Sequence, residues 1–138
     1  YCNLLKNNIV QGRKIRVMRF LSSRLSEKDC VAIRGGGDHT VHLLELVADI
    51  FDKKHIQLKY VIDQKKPELI LPEGCKVITM DEFEQKKEEV DKVIISSSRY
   101  GKEMKVEMSQ KCPGLCMIDP YETFGDGELF PNQGWYDL

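Results

Sequence analysis

Apolar positions along the chain alternate between two kinds of run. Short, nearly continuous stretches stand at Cys30-Val31-Ala32-Ile33-Arg34, at residues 57–62 (QLKYVI), at Lys76-Val77-Ile78-Thr79-Met80, at residues 90–96 (VDKVIIS) and at Gly114-Leu115-Cys116-Met117-Ile118. Their β-branched content and the turn residues that bound them predict five strands. Between them lie longer stretches of helical period. Residues 41–52 place Leu43, Leu44, Val47, Ile50 and Phe51 on one broad face, as a helix packed on a sheet requires. A short acidic helix is predicted from Asp81 to about Glu89. Another is predicted over residues 97–111, with Tyr100, Met104, Val106 and Met108 among charges. Residues 64–74 contain Pro67 and Pro72 and read as a loop.

Strands alternating with helices predict an α/β fold whose parallel sheet of about five strands is joined by right-handed crossovers. The sheet domain spans residues 28–121. Ahead of it, residues 3–25 mix Leu4, Leu5, Ile9, Val10, Ile15, Met18 and Leu21 with Arg13, Lys14, Arg16, Arg19 and Arg24. Their spacing predicts one or two amphipathic helices, interrupted near Gly12, in an N-terminal extension covering residues 1–27. The basic side of this extension suits either an acidic partner or, more simply, solvent. Residues 122–138 form an irregular tail whose Phe124, Phe130, Trp135 and Tyr136 are expected to pack on the domain or on a neighbouring chain. No internal repeat or low-complexity segment interrupts this order.

A length of 138 residues with 41% apolar and 31% charged side chains suits one compact domain with extensions. The net charge of −1 gives no global attraction for nucleic acid or an anionic membrane, so neither is expected as a partner. No apolar run approaches the roughly 20 residues that cross a bilayer, and the N-terminus lacks the apolar core of a secretory signal. A cytoplasmic protein is expected. The five cysteines, Cys2, Cys30, Cys75, Cys112 and Cys116, are an odd number without framework spacing and read as reduced thiols. The first residue is Tyr1 rather than Met, as in a piece cut from a longer protein or a chain whose leader has been left out.

The residues with most chemical content follow the first strand, in Gly35-Gly36-Gly37-Asp38-His39-Thr40. In a strand-turn-helix unit, glycines let backbone approach a ligand, and the free N–H groups at the helix start favour an anion. Gly35 and Gly37 match the first two glycines of G-x-G-x-x-G, with Thr40 in the third place. Thr40 offers a hydroxyl to a phosphate oxygen or to the helix cap, whereas the Asp38 carboxylate opposes a pyrophosphate. Asp63 ends the second strand, 26 residues after Gly37, where a dinucleotide fold sets the acid that bonds a ribose diol. A tight turn plus a loop-capping Asp explains the same pair without a ligand. Ser96-Ser97-Ser98-Arg99-Tyr100 follow the fourth strand and read either as phosphate or sugar contacts in the same crevice or as a serine N-cap on the next helix.

No catalytic constellation completes the site. His39 stands beside the turn as a ligand-contacting or capping residue, while His42 and His55 read as surface residues. Cys112-x-x-x-Cys116 has no second pair, and no His-Glu-x-x-His occurs, so no metal is expected.

The order VAIRGGGDHTVHLLELV, YVIDQK, a loop to a short strand and DEF, then DKVIISSSRYGKEM resembles small Rossmann-like modules of bacterial sugar-modifying proteins. Such modules occur in nucleotide-sugar enzymes, in glycosyltransferase-like proteins and as the C-terminal domain of sugar C-methyltransferases. The resemblance covers about residues 28–121. It implies a pocket for a nucleotide, NAD(P) or a nucleotide-sugar formed by Gly35, Gly36, Gly37, His39 and Thr40, with Asp63, Ser96 and Ser97 nearby. The sequence departs from the Tyr-x-x-x-Lys pair of the epimerase and dehydratase group, because Met104 stands four places after Tyr100 and Lys105 is one place late. The leading expectation is a nucleotide-type ligand-binding module of a larger sugar-modifying protein. The alternatives are a nucleotide-sugar-directed oxidoreductase or transferase, with His39 and Tyr100 handling protons, and an interaction or dimerisation domain.

Overall fold

The computed structural model describes residues 15–65, 67–97 and 100–120, the side chains of Asp38 and His39 excepted. Residues 15–24 are helical and are termed α1. Then follow β1 (Cys30–Arg34), α2 (Asp38–Lys53), β2 (Gln57–Ile62), β3 (Lys76–Ile78), α3 (Met80–Glu84), a 3-10 turn (Lys87–Glu89), β4 (Lys92–Ile95), α4 (Gly101–Lys111) and β5 (Cys116–Ile118). The five strands form one parallel sheet in the order β3-β2-β1-β4-β5, the Rossmann-like α/β arrangement expected. The expected tail over residues 122–138 and the first part of the N-terminal extension lie outside the described residues.

Alternation along the strands divides the core in two. Val31, Ile33, Val61, Ile94 and Ile118 pack with Val17, Leu21 and Leu25 of the N-terminal segment and with Leu43, Val47 and Ile50 of α2. Ala32, Ile62, Ile78, Val93 and Ile95 pack on the other face with Met80 and Phe83 of α3 and Met108 of α4. The chain thus moves outward from β1 by way of one face and outward from β4 by way of the other, as right-handed crossovers demand. Fully buried Phe83 contributes roughly 1.5–3 kcal/mol through the area it removes from water. In β2 the register slips between Val31↔Leu58 and Ala32↔Tyr60, leaving Lys59 as an extra residue. That bulge lets Leu58 face α2 while Tyr60 joins Phe83 on the opposite face.

The boundaries differ from the sequence expectation where caps intervene. Strand β3 stops at Ile78 because Thr79 N-caps α3, and Glu82 closes a reciprocal capping box with it. The acidic helix expected to reach Glu89 ends at Glu84, where Gln85 and Lys86 donate to Glu82 O and Phe83 O in tighter turns. The α1 segment is tied down by Lys54 Nζ, which donates to Ser22 O and Leu25 O, and by Lys92 Nζ, which donates to Arg24 O at 2.9 Å. Arg16, Arg19 and Arg24 are exposed.

Candidate functional site

Crossovers leave β1 and β4 toward opposite faces, so their carboxyl ends form the topological switch point, the position at which open α/β sheets take ligands. The three glycines at the end of β1 answer different demands. Gly35 sits at φ +113°, and a Cβ there would lie 2.8 Å from Ser96 O. Its N–H continues the ladder to Ile62 O at 2.9 Å. Gly36 donates to Asp63 Oδ2 at 2.8 Å, and a Cβ there would lie 2.6 Å from Pro67 Cγ. Gly37 is the N-cap of α2, exposed, with φ −84° and no side-chain cap. Its chain neighbours apart, a Cβ at Gly37 would meet no atom of the described residues within 4 Å. Packing among the described residues therefore accounts for the first two glycines and makes no demand on the third.

Beneath the turn, hydroxyl protons can be followed one by one. Thr40 is fully buried, and its Oγ1 donates to Gly35 O at 2.5 Å. Its single proton being used there, the 2.8 Å contact between Thr40 Oγ1 and Ser96 Oγ takes its proton from Ser96. Thr40 and Ser96 thus clamp the β1 turn to the end of β4 from inside. Asp63 accepts from Gly36 N with one carboxylate oxygen and from Lys65 N, at 2.8 Å, with the other. The carboxylate consequently holds the donor nearest β1, so an anion arriving at this edge meets the N–H groups of the first α2 turn instead. Ser97 Oγ accepts from Tyr100 N at 3.0 Å, shaping the entry to α4, whose N-cap is Tyr100 and not a serine.

The carboxyl edge therefore brings together Gly35, Gly36, Gly37, Thr40, Asp63, Ser96 and Ser97. The His39 side chain, Ser98 and Arg99 lie outside the described residues. Tyr100 borders the edge and is 53% exposed. Two further groups to which the sequence assigns no site role stand at the same edge: Asp119, directly after β5, and Lys105, paired with it at 3.0 Å. The available signal was position alone, an acid just beyond the last strand.

Arg34, next to the glycines, turns away from the α2 face. Buried, it donates from Nη1 to Ile62 O at 3.2 Å and from Nη2 to Glu107 Oε1 at 3.1 Å, while its Nε has no hydrogen-bond partner among the described residues. Glu107 is about one-third exposed, so water softens this pair. Replacing Glu107 by Gln keeps an acceptor and removes the countercharge. The expected loss is about 1 kcal/mol in urea unfolding.

Burial pushes the Cys75 thiol up to about 11 and raises that of Cys112 as well, which keeps both protonated and poor nucleophiles near neutrality. Among the described residues, no three His, Cys, Asp or Glu side chains gather as a metal site, and no helix is long and apolar enough to cross a membrane. No family model matches the chain, and neither a curated protein nor a solved structure does so.

Proposed function

We propose that this chain is a ligand-binding module that receives a nucleotide- or dinucleotide-type molecule at the carboxyl edge of its sheet, within a larger sugar-modifying protein. The observation that carries this reading is Gly37. It is exposed and sterically undemanded by the described residues, at the start of a 16-residue helix that has no side-chain cap, beside the carboxyl ends of β1 and β4. A glycine in an ordinary backbone conformation suits a site where something from outside comes close to the main chain. Asp63 and Ser97 follow neighbouring strands at the same sheet edge with acceptors that suit sugar hydroxyls, and the α2 N–H groups suit a phosphate. NAD(P) and nucleotide-sugars both combine these two chemistries.

Amide chemical shifts of the full chain, titrated with NAD, NADP, UDP-glucose and S-adenosylmethionine, test the proposal. Saturable shifts centred on Gly36, Gly37 and Asp63 are expected with one of them. Gly37→Val, which fills the open position, should weaken that binding by at least about tenfold, or roughly 1.4 kcal/mol. Silence at this edge across the panel at millimolar concentrations overturns the reading. Catalysis by His39 or Tyr100 has no observation of its own in its favour.

A further inference from the structure

In a doubly wound fold each crossover is normally a helix that covers one face of the sheet. The β2–β3 connection departs from this, since among its described residues none is helical. Irregular residues 68–72 run there instead, with Leu69 and Leu71 half-buried against the α2-side core and Ile70 fully exposed. Between this strap and α2 lies an apolar groove of about 660 Å³, its other wall made by Val41 and Leu44. Val41 is 41% exposed. A second hollow of about 540 Å³ continues along α2 past Phe51 to Pro72. The groove follows the path that a crossover helix would occupy in this layer.

The charged residues among its described lining are of one sign. Glu45 on the α2 wall and Glu68 on the strap both line it. Neither forms an ion pair or side-chain hydrogen bond with a described residue. An apolar floor between two unpaired carboxylates is complementary to an apolar stripe flanked by cations. We propose that this groove docks an amphipathic helix of a partner protein, with Leu-like residues on its inner face and Lys or Arg along its flanks. The incoming helix completes the layer that the β2–β3 connection leaves short. Exposed Ile70 and Val41 are its apolar anchors, and Glu45 and Glu68 fix its charge preference.

The test is a titration of the labelled full chain with a synthetic Leu/Lys amphipathic peptide of about 15 residues, long enough to form several helical turns. Saturable shifts at Val41, Leu44 and residues 68–71 are expected. Ile70→Asp should weaken binding at least about tenfold, although its added negative charge would strengthen a purely electrostatic attraction to the peptide. Because Ile70 is fully exposed, the variant should keep the wild-type circular dichroism and melting curve. Glu45→Lys with Glu68→Lys should also weaken it, and a Leu/Glu peptide should bind at least about tenfold less tightly. Undiminished affinity in Ile70→Asp, shifts centred elsewhere, or equal binding of the Leu/Glu peptide overturns the proposal. So does a dimer in sedimentation that dissociates in Ile70→Asp, because the groove then belongs to a second copy of this chain.

Discussion

Replacing Gly35 by alanine should lower the unfolding free energy by about 2–4 kcal/mol and move the urea midpoint down by roughly 1–2 M. Two costs add. The backbone stands at φ +113°, a region L side chains rarely adopt, which costs about 1–3 kcal/mol. The new Cβ would also lie 2.8 Å from Ser96 O, a backbone atom fixed by the Ser96 N–H bond to Arg34 O, so the β1–β4 ladder itself must shift. Gly37→Ala is the matched control. It introduces the same methyl into open space and should cost under about 1 kcal/mol as an N-cap change. Equal destabilisation by the two variants would show that the turn is not held by the close approach of β4.

Thr40→Val should be nearly as costly, about 2–4 kcal/mol, despite its similar shape. Removing the hydroxyl leaves Gly35 O without its donor and Ser96 Oγ without its acceptor, both in buried surroundings, at about 1–3 kcal/mol for each orphan. Thr40→Ser keeps the hydroxyl and should recover most of the loss. A double-mutant cycle with Ser96→Ala gives the coupling directly, and a value near zero would remove the clamp described above.

The strands were legible because both of their faces are buried, so each appears as an apolar run bounded by turn residues. The end of β3 was misread although Thr79-Met80-Asp81-Glu82 spells a capping box, since Ile78-Thr79-Met80 also continues a strand pattern. The approach of Asp63 to the glycine turn followed from spacing and strand order. The inward use of the Thr40 hydroxyl did not, because it depends on β4 bringing Ser96 beside it from 56 residues away. Arg34 adjoins the glycines in sequence and so invites a place beside them. Alternation along β1 instead sends it to the face of α4, where Glu107 meets it. The groove beside α2 was foreshadowed by Pro67 and Pro72, which mark the β2–β3 connection as a loop. How far that loop leaves α2 uncovered depends on packing that no local pattern encodes.

The outer strands of the sheet, β3 and β5, are only three residues each, and each begins with an exposed residue, Lys76 or Cys116. An unpaired edge is a template on which another chain can add a strand and start aggregation, and the hazard grows with edge length. Edges this short offer a visiting strand few backbone groups, and Lys76 sets a charge against it on one side. The longer, more apolar strands that could seed an aggregate are those flanked by neighbours on both sides. Brevity at the margins thus gives the sheet a measure of self-protection.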